Sequence, residues 1–198
     1  MIDPYGRPIL RYTRGDVEIP GSPVGKRGHF EVGNEALPGI ENAESRMLPP
    51  GIWPAVVARR KKDEAPCIWI CWGDIDAPKC DADGKALNLG AGEEHQAHSA
   101  NYPSQLNGCI APGLGETDIG VSNSQDAMSA IFSELVKAAS YGAWKDDDGA
   151  GWSYDNPPFG LVVLVAVQEG EEPAPPPPVT KSPILNPIRQ WVKRGGVA

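Results

Sequence analysis

Apolar side chains recur at Met128, Ile131, Phe132, Leu135, Val136 and Ala139, offsets of 0, 3, 4, 7, 8 and 11. That spacing is one stripe of an α-helix. It predicts a helix over residues 122–141, with Ser122 and Gln125 as a capping box and Gly142 just past its end. Elsewhere the pattern is that of strands. Ile9 to Tyr12 is a short strand piece in a Gly- and Pro-rich first 50 residues. Trp53 to Ala58 reads as a strand entered by the turn Pro49-Pro50-Gly51, with the charged residues 59–64 as the loop after it. Cys67 to Trp72 is apolar at every position, as in a strand covered on both faces, and its period of two puts Cys67 and Cys71 on one side. Residues 159–167 complete the sheet on which the helix lies. The expected fold is α+β: a small, mostly antiparallel sheet or open barrel packed by one main amphipathic helix, with long loops and a C-terminal proline-rich tail.

The composition changes after Gly170. Residues 1–170 read as one compact α+β domain, residues 171–183 as a proline-rich linker, and residues 184–198 as a basic amphipathic docking tail. Pro173 to Pro178 make a semi-rigid polyproline spacer. Beyond it Asn186 can cap a short helix with Pro187 at its first position. Ile188, Trp191 and Val192 then share one face. So short a helix is not stable alone in water, so that face must find a surface, on this body or on a partner.

Charge sharpens the division. The chain carries a net charge of −8, but from Lys181 onward it holds four basic residues and no acid, which leaves −12 on residues 1–180. An acidic body lacks the cationic footprint that nucleic acid requires. The N-terminus has no signal-peptide pattern and the longest apolar run, residues 161–167, is too short to span a bilayer. The expectation is synthesis in the cytoplasm, with no transmembrane segment. Cys67 and Cys71 read as buried small hydrophobes. Residues 81–84 begin like a calcium loop but lack its later ligands, and read as a polar turn. No metal and no cofactor is expected.

Candidate chemistry gathers at HQAHSANYPSQLNGCIAPG, residues 95–113. His98 and Cys109 lie eleven apart in a loop rich in Gly, Asn and Pro. A thiolate nucleophile needs a base beside it and a backbone open to close approach, which Gly108 supplies. Asn101 is the candidate to orient the imidazole. Trp152 and Tyr154 flank an acidic run at 145–149 and offer a sugar-contacting loop, with an ordinary surface insertion as the plainer reading.

Ala97-His98-Ser99-Ala100-Asn101, followed by Asn107-Gly108-Cys109-Ile110-Ala111-Pro112-Gly113, resembles a phage and prophage domain family of unknown function. That family carries an I-H-x-G-N…T-x-G-C-I-x-x-G motif. Leu48 to Trp53 is similar to its I-P-x-G-x-Y turn, and Ser124, three before Ala127, to its S-x-x-A helix start. Together these stretches cover roughly residues 9–140 in order. More distantly the segment resembles the L,D-transpeptidases, which act on peptidoglycan stem peptides. That resemblance implies Cys109 as nucleophile, His98 as base or orienting group, and the N–H groups around Gly108 and Cys109 as oxyanion donors. The chain departs from the patterns at Ala111 (arginine in the transpeptidases), Ala100 and Leu106, and no histidine precedes Gly108. Two readings follow. One is a virion-associated, cell-wall-directed module with cysteine-dependent transpeptidase or hydrolase activity. The other is a non-catalytic virion or assembly protein that docks other phage proteins through its tail. Contact with peptidoglycan and a homo-oligomer are compatible with either.

Overall fold

The computed structural model describes residues 2–15, 25–42, 47–71, 79–80, 86–87, 95–139 and 151–170. The linker, the tail with Ile188, Trp191 and Val192, the turn at 81–84, Gly142 and the acidic run at 145–149 lie outside the described residues.

Alternation along ILRYTRG makes β1 (Ile9–Gly15), with Leu10, Tyr12 and Arg14 buried on one side. β2 (Gly25–Val32) turns through Gly33 and Asn34 into β3 (Glu35–Asn42), and β4 (Gly51–Arg59) turns into β5 (Pro66–Ile70). The two-residue strands β6 (Lys79–Cys80) and β7 (Ala86–Leu87) pair only with each other. β8 (Gln96–His98), a 3-10 turn at Pro103–Gln105 and β9 (Ile110–Pro112) follow. A small hairpin of β10 (Gly115–Thr117) and β11 (Gly120–Ser122) leads to helix α1 (Ser124–Ala138), and β12 (Val162–Glu169) ends the domain.

Eight strands close in the order β1-β12-β4-β5-β8-β9-β3-β2. Six of the eight neighbouring pairs are antiparallel; β1–β12 and β8–β9 are parallel. The expected α+β class holds, with one α-helix among the described residues, but the expected small sheet or open barrel is a closed barrel. Closure follows because β1 pairs on both of its edges, with β2 and β12, which leaves the eight-stranded sheet without a free edge.

The barrel interior and the helix share one core. Leu10, Tyr12, Phe30, Val57, Ile68 and Val165 meet the buried helix stripe of Met128, Ile131, Phe132, Leu135 and Val136. The rings of Tyr12 and Phe30 stand 4.8 Å apart at 40°. They fit because glycines face them across the strands. A Cβ at Gly28 would lie 2.4 Å from the Tyr12 ring, and one at Gly39 would lie 2.6 Å from the Phe30 ring. β4 and β5 are buried on both faces, and Val56, Ala58, Cys67, Trp69 and Cys71 form a separate outer cluster. Cys67 and Cys71 do share that face.

The two barrel ends differ. α1 packs at the end where β2 turns into β3, and its Glu134 lies beside Gly33. At the other end Arg14, on the inward side of β1, reaches Glu41 Oε1 (3.1 Å), Glu169 Oε1 (2.6 Å) and Met47 Sδ (3.4 Å). Glu41 is fully buried, and burial holds its carboxyl above the usual range against the pull of Arg14.

The helix begins later than expected. Ser122 ends β11, its carbonyl accepting from Leu114 N–H at 2.9 Å, so it caps nothing. The residue before the helix is Asn123, at φ 53°, ψ 46°, without a side-chain cap. This left-handed geometry suits glycine best and asparagine next. Asn123→Gly should leave a urea midpoint nearly unchanged, and Asn123→Ala should cost about 1–2 kcal/mol. Equal losses from both would show that the amide side chain, not the backbone angle, matters there.

Candidate functional site

The parallel pairing of Ala97 with Ile110 turns both residues into the barrel core. His98, one after Ala97 at the end of β8, and Cys109, just before β9 begins at Ile110, therefore both point away from the core side of these neighbouring segments. Gly108, at φ 79°, swings the chain into β9 in a conformation that a side chain would oppose.

Cys109 is a buried thiol, 8% exposed, among Ile40, Ala100, Leu106, Ala111 and Val121. Its Sγ lies 4.0 Å from the Asn107 carbonyl. His98 is 5% exposed, with Nδ1 3.1 Å from Arg60 Nη1 and 3.0 Å from the Ser99 carbonyl. A guanidinium only donates and a carbonyl only accepts, so Nδ1 satisfies one of the two in each tautomer. Arg60 is itself held by Asp63, through Nε to Oδ1 at 2.8 Å and through a second bond from Nη2. Burial, helped by the Arg60 charge, holds the imidazole below the usual histidine range against the Ser99 carbonyl and Asp63, so it is neutral near pH 7. Cys109 is not among the hydrogen-bond partners of His98.

Asn101 does not orient the imidazole. Its Oδ1 accepts from Ser124 N–H at 3.4 Å, and its carbonyl accepts from Val121 N–H at 3.0 Å. It ties the start of α1 to the loop after β8. Ser124, the first residue of α1, is 5% exposed. Between these segments lies an open cleft of about 460 Å³, lined by Ser99, Asn101, Gln105, Ser124, Gln125 and Asp126 among others. Neither His98 nor Cys109 lines it.

Trp152 and Tyr154 are half-buried and pack against the core, instead of standing out as a loop. The Trp152 carbonyl accepts from Ser133 Oγ at 2.7 Å, and Tyr154 N–H donates to Ser129 Oγ at 2.7 Å, so both are strapped to α1. The Tyr154 hydroxyl stands 2.9 Å from Ser99 Oγ, at the edge of the cleft. The structure thus gathers Asn101, Ser124 and Tyr154 around Ser99, and leaves Cys109 one layer behind. Arg60, Asp63, Ser99 and Gln105 were not expected at the site. Arg60 and Asp63 sat in a charge run that read as a solvated turn, and only the β4–β5 register brings them to His98.

Among the described residues no cluster of three His, Cys, Asp or Glu could hold a metal, and no helix is long and apolar enough to cross a membrane. No protein-family model, no curated protein and no solved structure matches this chain.

Proposed function

We propose that the chain is a phage-derived, virion-associated module directed at the bacterial cell wall, with Cys109 and His98 as its chemical centre. The observation that carries the reading is the β8–β9 register, which turns a neutral imidazole and a Gly-preceded thiol away from the core side. A neutral imidazole is the form that accepts a thiol proton. In the step this supports, His98 takes the Cys109 proton and the thiolate adds to the carbonyl carbon of a stem-peptide amide. The C–N bond then breaks, the amine leaves with the proton from His98, and the acyl thioester passes to water or to a second amine. The phage and wall assignments rest on the motif resemblance, and the tail would dock the module to other virion proteins.

A second reading, the non-catalytic virion or assembly component, is favoured by the enclosure of Cys109 in an apolar cluster and by the commitment of His98 Nδ1 to Arg60 and Ser99. Alkylation of the native protein, read by mass spectrometry, separates the two. The enzymatic reading expects Cys109 to react well ahead of Cys67 and Cys71 near neutral pH, His98→Ala to slow that labelling, and Cys109→Ala to remove any activity on peptidoglycan. A Cys109 that reacts only after unfolding overturns the enzymatic reading and leaves the structural one.

A further inference from the structure

We propose that the face formed by the β10–β11 hairpin and the loop after β8 is the docking surface for this chain's own basic tail, residues 184–198. Such docking is independent of the cell-wall reading and serves an enzyme or a structural module alike.

Exposed apolar side chains gather there. Tyr102, Leu114 and Ile119 are 45%, 45% and 46% exposed, three of the six large hydrophobics that face solvent among the described residues. Backbone contacts make them one unit. Val121 N–H donates to the Asn101 carbonyl at 3.0 Å, and a Cβ on Gly120 would stand 3.4 Å from Tyr102 Cα. Ile119, next to Gly120, is thereby brought up to Tyr102. Leu114, whose N–H donates to the Ser122 carbonyl at 2.9 Å, marks the other end of the hairpin. The charges among them are acidic. Glu116 and Asp118 lie on the hairpin, Asp126 lies on the first turn of α1, and all three are exposed. Arg27 reaches Glu116 Oε2 at 3.3 Å, but Asp118 and Asp126 have no cation partner among the described residues.

The tail carries the complement. Ile188, Trp191 and Val192 are spaced to share one helical face, with Arg189, Lys193 and Arg194 around them, three cations for three acids. A second copy's hairpin would set like charges face to face, and a nucleic acid would be repelled, so the tail is the occupant of matching sign. It is also close. Gly170, the last described residue, donates its N–H to the Arg14 carbonyl; Gly15 pairs with Arg27 of β2, and Arg27 holds Glu116. Two strand spacings of about 4.8 Å separate the end of β12 from β2. Residues 171–183 reach roughly 40 Å when extended as polyproline, so the tether spans the gap with length to spare. A short tether holds its end at an effective concentration on the order of millimolar, which favours the chain's own hairpin over another copy's. A virion partner would then take the tail by displacing it from this face.

The test is carbodiimide cross-linking of the full chain, with isotopically light and heavy preparations mixed in equal amounts and the products read by mass spectrometry. The reagent joins an amine to a carboxylate only where the two touch. Lys193 should link to Glu116, Asp118 or Asp126, and the linked peptides should carry a single isotope. Leu114→Ser combined with Ile119→Ser removes half-exposed apolar contacts and should cut that yield roughly tenfold with the thermal midpoint retained. Trp191→Ser should do the same while leaving the body of the protein untouched. Links from Lys193 spread over carboxylates elsewhere, an absence of links to the hairpin, or a yield unmoved by Trp191→Ser would overturn the docking surface. Hairpin links that pair light with heavy as often as random mixing predicts would overturn the intramolecular occupant and assign the face to the tail of a second copy.

Discussion

Arg14→Met should destabilise the barrel by about 3–5 kcal/mol, because it removes one partner of a buried ion pair and strands the other. Glu41 is fully buried, and Arg14 is the cation in contact with it, at 3.1 Å. Methionine keeps the length of the side chain and can pack beside Met47, so lost volume is not the cause. A loss of that size is a large share of the roughly 5–15 kcal/mol that holds a domain together. Its pH dependence identifies the mechanism. Burial already holds the Glu41 carboxyl above the usual range, with Arg14 and then Lys26 pulling it down and Glu169 pushing it up. A carboxyl whose folded pKa exceeds its unfolded one favours the fold when protonated, and that contribution fades as pH rises through the folded value. Without Arg14 the upward push is less opposed. The deficit should therefore be largest at neutral pH and shrink on acidification, as read from urea midpoints at two pH values. A deficit that does not change with pH would mean that Glu41 is not the group left stranded.

Phe132→Ala should cost about 3–5 kcal/mol, for a different reason. Phe132 is fully buried at the centre of the stripe that α1 presses into the barrel mouth. The strands around the cavity are pinned by ladders on both sides, so the site cannot collapse to fill it. The loss should be insensitive to pH and should appear as a lowered urea midpoint with an unchanged slope. A loss under about 1 kcal/mol would mean the helix can lift away and that the barrel stands without it.

The contrast between these two residues shows what was legible in the chain. The helix was visible because one face meets one core, and a single face imposes a period that survives in the sequence. The 67–71 strand was visible for the related reason that both its faces are buried. Arg14 was not visible, because its partners lie 27 and 155 residues away and nothing local marks a basic side chain as inward-facing. The β2–β3 hairpin was missed although Gly33-Asn34 between two runs is a hairpin signal. Gly28, Pro38 and Gly39 weaken the strand propensity of those runs, and the two glycines are present because the Tyr12 and Phe30 rings need room. At the candidate site the stretch from His98 to Cys109 was legible only as a set of candidate residues in one loop. Its arrangement was not: Asn101 serves the helix instead of the imidazole, and Ser122 belongs to a hairpin instead of a cap. Both outcomes depend on pairings across the fold.

The seam of the barrel bears on how the chain is made. Ile9 pairs with Leu164, a separation of 155 residues along the chain. At translation speeds of about 5–20 residues per second, β1 leaves the ribosome roughly 8–30 s before its neighbour on that side exists. Throughout that interval one flank of β1 offers unpaired N–H and C=O groups to any strand that passes. Vectorial folding can complete the β2–β3 and β4–β5 hairpins early, but it cannot finish the cylinder. Closure therefore waits for β12, and until that strand emerges the open flank of β1 is the place where a wrong strand can pair.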